Sequence, residues 1–381
     1  MLLKNYDVVV CGGGVAGVAA ALAAARRGMK TALIEKTVLP GGLATSGLVL
    51  IYLPLCDGHG KQMIYGISEE LLIASNKYGP CEPDPEWREK GRYKTKFSPG
   101  SFVLALDELL ENAGVDVWLD SCITGCTVRN ERLTEISVVN KSGTVRVGAK
   151  VFVDATGDAD LLFLAGKSCY YSENSMVLWT IEHNEQVKSG TDLDGFSHVA
   201  IHADALENVY TKEKLSGKMV SDFVLEGRRR YRNLLKQEYA EGKSSRKSHY
   251  PLTLQTIPPI RKGRCIQGCF TLDTGMERRT FEDPVGVFGD WRGSTKIWQI
   301  PYRALLPRDL NGVIAAGRCI SAVGDAWEAT RVIPVAAMTG EVAGIAAAMS
   351  AARGGKPHDL PYPDLADELR KTGFRLEFPG S

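Results

Sequence analysis

A closely spaced run of glycines near the N-terminus limits the local fold more than any other feature of the sequence. The pattern Gly12-x-Gly14-x-x-Gly17 follows an apolar stretch at 7–11 and leads into an Ala- and Leu-rich stretch at 15–27. Glycine at these positions allows a tight turn, a close backbone approach to a phosphate and close packing of a helix on a strand. The start of that helix would present free N–H groups to an anion. The pattern therefore predicts a strand–turn–helix unit that binds the diphosphate of a dinucleotide.

An acidic residue follows at the distance that such a unit requires. The apolar stretch 31–34 predicts a second buried strand, and it ends at Glu35. A carboxylate about 20 residues after the first glycine can accept hydrogen bonds from ribose hydroxyls and would repel a 2′-phosphate. A tight turn without any ligand is the alternative interpretation of the glycines alone.

Two further segments favour FAD over a nicotinamide dinucleotide. A glycine- and hydroxyl-rich stretch at 41–47 stands where a nicotinamide dehydrogenase would continue into another helix, and it could lie along the diphosphate and under a flavin ring. Near the C-terminus, the strand-like stretch 312–317 runs into glycine, and Pro334 suits the first turn of a final helix. The start of that helix could stabilise the negative charge of a reduced flavin. The alternative is a second strand–helix unit with a purely structural role.

With these segments in place, the sequence resembles the FAD-dependent oxidoreductases of the glutathione-reductase-like flavoprotein superfamily. Within that superfamily it is most similar to a bacterial group with an AGRCIS and an RVxP signature near the C-terminus. The matching residues are 7–17, 32–36, 41–47, 152–160, 300–302, 316–321 and 331–344. The stretch 170–250 carries no match.

The resemblance implies that FAD is the cofactor and that it is held without a covalent bond. Val128 is implied to contact the adenine through its backbone. The full set of implied FAD contacts is Gly12, Gly14, Val15, Ala16, Gly17, Glu35, Lys36, Gly41, Gly42, Thr45, Gly47, Val128, Ala155, Thr156, Gly157, Gly317, Arg318, Gly324, Asp325, Val332 and Ile333.

The predicted fold class is α/β, with a Rossmann-like FAD-binding domain of three-layer ββα architecture and an inserted α+β substrate or cap domain. Residues 1–168 are expected to form the first part of the FAD-binding domain, with an antiparallel β-meander at 122–150. Residues 169–300 are expected to form the substrate or cap domain, and residues 301–381 to complete the FAD-binding domain. A predicted helix at 218–241 carries four arginines, which are a solvated face or a guide for an anionic substrate.

Four side chains are candidates for the substrate side of the site. Arg331, just before the final helix, could hold a substrate carboxylate, or it could pair with Glu328 three residues earlier. Arg264 lies in a segment that resembles one near the substrate cavity of the family, although solvation of a sheet edge explains it equally well. Tyr302 could donate a proton, and a buried tyrosine with one structural hydrogen bond is the alternative. His59 could act as acid or base, or could be a loop histidine without function.

Composition and motifs restrict the partners and the compartment. Lys and Arg number 46 against 45 Asp and Glu, so we expect neither nucleic acid nor an anionic membrane as a partner. The nine cysteines lack C-x-x-C spacing, and we predict reduced thiols, no metal site and a cytoplasmic protein. The N-terminus leaves no room for a signal peptide, and the apolar stretch 332–352 contains Glu341, which predicts a buried helix. The expected partner is a small molecule, which could be anionic. Whether the protein forms a homo-oligomer is left open.

The leading functional hypothesis is an FAD-dependent oxidoreductase that transfers a hydride between flavin N5 and a small organic substrate. One alternative is a flavin-binding subunit that only relays electrons. Another is an NAD-binding, thiazole-synthase-like enzyme on the same fold. A second G-x-G-x-x-G pattern is missing and Cys56 lacks a C-x₄-C partner, so disulfide reduction is disfavoured.

Overall fold

The computed structural model describes residues 3–79, 82–172, 177–186, 197–202 and 215–379. The strands are β1 (Leu3–Cys11), β2 (Thr31–Ile34), β3 (Ile51–Tyr52), β4 (Thr95–Lys96), β5 (Asp116–Trp118), β6 (Cys122–Arg129), β7 (Arg132–Asn140), β8 (Gly143–Asp154), β9 (Cys169–Tyr171), β10 (Val177–Asn184), β11 (Ser197–His202), β12 (His249–Leu254), β13 (Arg264–Ile266), β14 (Pro284–Gly289), β15 (Ile297–Pro301) and β16 (Val313–Ala315). The helices are α1 (Val15–Ala25), α2 (Ile67–Ala74), α3 (Pro99–Asn112), α4 (Asp160–Leu164), α5 (Gly217–Ala240), α6 (Gly324–Thr330), α7 (Ile333–Ala352) and α8 (Tyr362–Lys371).

A seven-stranded sheet forms the centre of the molecule, in the order β5-β2-β1-β8-β7-β6, with β16 also paired to β8. Strands β5, β2, β1, β8 and β16 run parallel, whereas β7 and β6 complete an antiparallel meander. The middle of β1, Val8 to Val10, is fully buried, as expected of a parallel strand covered on both faces. This arrangement is a Rossmann-like α/β fold.

Strand β8 differs from its prediction. The sequence pattern suggested a meander strand at 144–150 followed by a separate buried strand at 151–153, but β8 is one continuous strand of 12 residues. Its first part pairs with β7 and its last residues pair with β16, while β1 runs along nearly its whole length. A single strand therefore joins the meander to the parallel sheet, and this depends on pairing partners that are distant in sequence.

The first and last long helices pack closely on each other through small residues. A Cβ atom on Gly340 of α7 would lie 2.1 Å from the carbonyl oxygen of Ala16, and one on Gly344 would lie 2.3 Å from that of Ala20. Among the described helices, α7 alone is long and apolar enough to cross a membrane, but 83% of its apolar window is buried inside the protein. That burial is typical of a core helix, as the sequence predicted.

The middle of the chain contains a smaller antiparallel sheet, ordered β11-β10-β12, and the long helix α5. This helix buries one side through residues at four-residue intervals, among them Phe223, Tyr231 and Leu235. Strand β9 pairs with β13, and β14 pairs with β15. A sheet and a helix between 169 and 300 agree with an α+β region there, whereas the domain boundaries at 168/169 and 300/301 stay predictions.

A buried histidine joins the three elements of this region. The Nδ1 atom of His249, at the start of β12, lies 2.6 Å from a carboxylate oxygen of Glu238 on α5, and its Nε2 lies 3.0 Å from Glu182 on β10. The Tyr231 hydroxyl donates a hydrogen bond of 2.7 Å to the other oxygen of Glu182. Burial lowers the pKa of His249, but the two carboxylates outweigh it, so the pKa is raised above the ordinary value of 6.5.

We expect this contact to make the stability of the protein depend on pH. Because the pKa of His249 is higher in the folded than in the unfolded state, its stabilising effect is complete below 6.5 and is lost as the pH rises through the raised pKa. The free energy of unfolding of the wild type, relative to His249→Gln, should therefore fall as the pH rises from about 6.5 through the raised pKa. Urea unfolding of both proteins across this range measures the difference, and a difference that stays constant would contradict the prediction.

Candidate active site

A cavity of about 320 Å³ lies where three parallel strands of the central sheet end. Gly12 follows β1, Glu35 follows β2, and Ala155 follows β8, and all three line the cavity. The carboxyl edge of a parallel sheet is where α/β folds of this type bind their ligands. The predicted cofactor residues at this cavity are Gly12, Gly14, Glu35, Lys36, Gly42, Ala155, Thr156, Gly157 and Arg318.

The glycines of the first turn have distinct surroundings. Gly12 adopts a φ of +99°, and a Cβ there would lie 2.5 Å from the carbonyl oxygen of Ala155. A Cβ on Gly17 would lie 1.8 Å from the carbonyl oxygen of Gly12, so this helix turn packs directly on the loop. Gly14 is the exception, because a Cβ there would meet no atom within 4 Å and would point into open space. These surroundings fit a turn that leaves room for a phosphate at Gly14.

The loop 41–47 packs against the first turn. The backbone N–H of Gly41 donates to the carbonyl of Gly13 at 2.7 Å, and a Cβ on Gly42 would lie 2.9 Å from the Cα of Gly14. Thr45 is buried, and its hydroxyl donates to the carbonyl of Pro40 at 2.6 Å. This threonine therefore holds the loop together.

Glu35 ties the end of β2 to the glycine turn. One carboxylate oxygen accepts from the N–H of Gly13 at 2.6 Å, and the other accepts from the N–H and the hydroxyl of Thr37, both at 2.8 Å. Glu35 is only 6% exposed, yet it borders the cavity. A carboxylate offers about four lone-pair sites, so it retains acceptor capacity for a ribose hydroxyl.

The turn after β8 is organised by a buried carboxylate. Asp154 accepts from the hydroxyl of Thr156 at 2.7 Å and from the N–H of Leu161 at 3.1 Å. Burial raises the pKa of Asp154 to about 6. A Cβ on Gly157 would lie 2.7 Å from the guanidinium carbon of Arg318, so glycine allows that arginine to approach the turn.

Two arginines and two aspartates surround one end of the cavity. The Arg318 guanidinium pairs with Asp158 at 3.1 Å, and Arg264 pairs with Asp160 and donates to the carbonyl of Asp158 at 2.8 Å. Within the described residues, Nε of Arg318 and Oδ1 of Asp158 are buried without any hydrogen-bond partner. Buried polar groups are nearly always paired, so both atoms indicate a polar ligand. A diphosphate, which accepts from arginine, fits beside Arg318.

Val128, the residue that the resemblance placed at the adenine, does not line the cavity. It pairs with Leu133 inside the meander, whereas Cys122 and Ile123, at the start of β6, and Ser121 before them line the cavity. Five residues of strand separate Ile123 from Val128, a distance of about 17 Å at the usual rise. The sequence did not predict which residue of β6 lies at the edge of the sheet, because that position depends on how β6 pairs with β7.

The other predicted cofactor residues do not line the cavity itself. Gly317 packs on α1, where its Cβ would lie 2.8 Å from that of Ala16. Asp325 lies in the first turn of α6 and pairs with Arg292 at 2.8 Å, while Val332 caps the start of α7. The residues in this group are Val15, Ala16, Gly17, Gly41, Thr45, Gly47, Val128, Gly317, Gly324, Asp325, Val332 and Ile333.

Of the four substrate-side candidates, Arg264 alone lines the cavity, and its guanidinium also lies 4.1 Å from the ring centre of Phe163. Arg331 instead donates to Glu328 at 2.9 Å, and Lys262 contacts the same carboxylate at 2.7 Å. The ion pair that was the alternative interpretation of Arg331 is thus present. To bind a substrate, Arg331 must either share its guanidinium between Glu328 and the substrate or give up the ion pair with Glu328.

The other two candidates lie away from the cavity. Tyr302 is buried, and its hydroxyl donates to the carbonyl of Pro357 at 3.1 Å. Burial raises the pKa of Tyr302 far above its ordinary range, which makes proton donation unfavourable. His59 lies in an exposed loop, and its own backbone N–H donates to the carboxylate of Asp57 at 2.8 Å. Neither residue lines the cavity, and the catalytic roles assigned to Tyr302 and His59 stay predictions.

Sequence reasoning missed several residues of the cavity. The acidic pair after β8 lay within the stretch 152–160 that carried the resemblance, which was a usable signal. The segment 257–264, which ends at Arg264, had also carried a resemblance to a family segment near the substrate cavity, so it was a second usable signal. The missed lining residues are Ile34, Thr37, Leu43, Ser121, Cys122, Ile123, Asp158, Asp160, Phe163, Leu164, Ile257 and Pro258.

The described residues include one cysteine at the cavity, Cys122, and no cluster of potential metal ligands. The cysteines in the part of the chain that the structure describes are free, and burial raises the pKa of both Cys11 and Cys319 well above its ordinary value. No group of three or more potential metal ligands occurs among those same residues.

Comparison with known families gives one match over most of the chain. The family model described as FAD dependent oxidoreductase matches residues 7–177 and 172–369.

Individual relatives match shorter stretches. The digeranylgeranylglycerophospholipid reductase of Picrophilus torridus is 33% identical over 162 residues, which is 40% of this chain and 39% of that protein. The alignment thus spans about two fifths of this relative's length. The thiamine thiazole synthase of Metallosphaera sedula is 27% identical over 251 residues, and the alignment covers 58% of this chain and 83% of that protein. A solved structure from Thermoplasma acidophilum, described as geranylgeranyl bacteriochlorophyll reductase-like, covers 97% of this chain and 83% of its own, with a TM-score of 0.49 and 17% identity.

Proposed function

Because the chain belongs to the FAD dependent oxidoreductase family, we propose that this FAD enzyme transfers a hydride between flavin N5 and a small organic substrate. The cavity at the ends of β1, β2 and β8 is the observation that supports a bound dinucleotide. It combines open space in front of Gly14 with the unpaired Nε of Arg318. When bound, FAD supplies an acceptor or donor of two electrons and one proton in the form of a hydride.

The residues of this chain would hold the cofactor without a covalent bond. Glu35 would accept hydrogen bonds from the ribose of the adenosine half. The N-terminal end of α1, with Gly14 and Gly42 beside it, would hold the diphosphate together with Arg318. The flavin half would extend toward the loop 41–47 and the start of α7, whose N–H groups favour negative charge.

The protein's own contribution to the reaction is orientation and exclusion of water. The segment 255–258 is well placed for this, because Thr256 donates to the carbonyl of Ser46 at 2.9 Å while Ile257 and Pro258 line the cavity. We further propose a small-molecule partner rather than nucleic acid or membrane, since the formal net charge is only +1. We also propose a cytoplasmic location, where the free thiols of the described cysteines would stay reduced.

One experiment separates this function from its two alternatives. Freshly purified protein should be yellow, and heat should release FAD that chromatography identifies. After anaerobic photoreduction, small organic acceptors should reoxidise the flavin of an oxidoreductase, whereas an electron-relay subunit would respond only to a protein partner or a one-electron mediator. Released NAD with no flavin would instead favour the thiazole-synthase-like alternative, which the match to the Metallosphaera sedula protein keeps open.

A further inference from the structure

A second, smaller cavity of about 90 Å³ lies between α5 and the segment 255–259. Its walls include the buried side chains of Leu178 and Phe223. Ile257 and Pro258 line this pocket and also the larger cavity, so one short segment separates the two. Since a water molecule takes about 30 Å³, the pocket has room for a group of only a few heavy atoms.

Gln255 lines this pocket and has a buried amide oxygen without a hydrogen-bond partner among the described residues. Gln255 is 5% exposed, and its Nε2 donates to the carbonyl of Gly47 at 2.6 Å. That contact requires an N–H donor, so it sets the orientation of the amide and leaves Oε1 as the remaining acceptor. Within the described residues, Oε1 is buried without a hydrogen-bond partner, as is the hydroxyl of Ser46 beside Gly47. Leaving such a group unpaired is unfavourable, and a ligand that donates a hydrogen bond would recover that cost.

Arg228, an exposed residue at the edge of the same pocket, forms no ion pair with any carboxylate among the described residues. Glu226, the nearest acid along α5, is already shared by Arg229 and Arg230. Arg228 lines the pocket and donates only a long hydrogen bond of 3.4 Å to the backbone carbonyl of Gln255. None of the ion pairs among the described residues includes Arg228. Its guanidinium is therefore available for an anion.

We propose that this pocket binds a short-chain hydroxy carboxylate. The carboxylate pairs with Arg228, the hydroxyl donates to Oε1 of Gln255, and the apolar body packs against Leu178 and Phe223. An ammonium group in place of the hydroxyl is unfavourable, because Arg228 repels it and burying a cation beside Leu178 and Phe223 is costly. The assignment rests on the proposed function, since Gly47 and Ser46 belong to the loop that would lie beside the flavin.

Binding of matched small molecules tests the pocket directly. The probe is glycolate, the smallest hydroxy carboxylate, titrated into the purified holoprotein by calorimetry. The controls are acetate, which lacks the hydroxyl, and methyl glycolate, which lacks the charge. The wild type should bind the probe at least about tenfold more tightly than either control, because each control loses one charged or buried hydrogen bond.

Three variants assign the two contacts. Gln255→Leu should remove the preference for the hydroxyl while keeping the preference for the charge, and Arg228→Leu should do the opposite. Arg232→Leu removes an exposed arginine one turn further along α5 and outside the pocket, so it should bind the probe like the wild type. Equal losses in Arg228→Leu and Arg232→Leu would overturn the proposal, as would a wild type that does not bind the probe or binds it no better than the controls.

The flavin content, measured on the same samples, keeps the two proposals apart. A yellow holoprotein that does not distinguish the probe from its controls would overturn the pocket and leave the oxidoreductase in place. A colourless protein that nevertheless binds the probe with the expected preferences would support the pocket and contradict the proposed function.

Discussion

Gly14→Val should yield a folded protein that no longer retains flavin. The backbone at Gly14 has φ −64° and ψ 174°, which any residue adopts, and a Cβ there meets no atom within 4 Å. The substitution therefore leaves the fold intact, but the valine methyl groups occupy the space in which the diphosphate approaches the start of α1. We expect the affinity for FAD to fall by about 100-fold or more, equivalent to about 2.7 kcal/mol.

The measurement is the flavin-to-protein ratio after purification, followed by a fluorescence titration of the apoprotein with FAD. Gly217→Val is the matched control, because that position also meets no atom within 4 Å but lies at the start of α5, away from the larger cavity. Both variants should unfold near the wild-type temperature. A Gly14→Val protein that holds a full complement of FAD would show that the diphosphate lies elsewhere.

Gly340→Val should destabilise the whole molecule. The new Cβ would lie 2.1 Å from the carbonyl oxygen of Ala16, a backbone atom near the start of α1 that has no rotamer to change. The two helices must therefore separate, which exposes apolar surface on both and shifts the glycine turn that α1 supports. We expect a loss of about 3 kcal/mol or more in the free energy of unfolding.

Urea unfolding measures this loss, and Ala352→Val is its control. Ala352 lies at the exposed end of the same helix, so the identical side chain there should change the stability by less than about 0.5 kcal/mol. Gly340→Val and Gly14→Val differ in kind: the first should lose stability and FAD together, the second FAD alone. Wild-type stability in Gly340→Val would mean that α1 and α7 do not pack as closely as the structure shows.

The elements that could be predicted from the sequence are those whose residue pattern is contained in about 40 consecutive residues. The unit β1–α1–β2, its glycines and Glu35 follow from strand and helix periodicity and from backbone sterics, which act locally. The resemblance extended this to the C-terminal strand and to α7. Where two elements are adjacent in the chain and each has a characteristic pattern, their contact is nearly determined.

The register of β6 and the continuity of β8 were not predictable in this way. A strand pattern repeats every two residues, so it shows which faces are apolar but not which residue reaches the sheet edge. That choice places Cys122 and Ile123, rather than Val128, at the cavity.

Side-chain partners likewise required the tertiary structure. An arginine in a sequence is compatible with an ion pair, a ligand contact or a solvated surface, and only its neighbours in space decide among them. Thus Arg331 meets Glu328, while Arg264 meets Asp160 at the cavity. The sequence by itself determined the cofactor-binding unit and its local turns, because short-range sterics and periodicity specify them. Strand register, ion pairing and the small pocket at Gln255 were decided only by tertiary packing, because they depend on contacts between residues far apart in the chain.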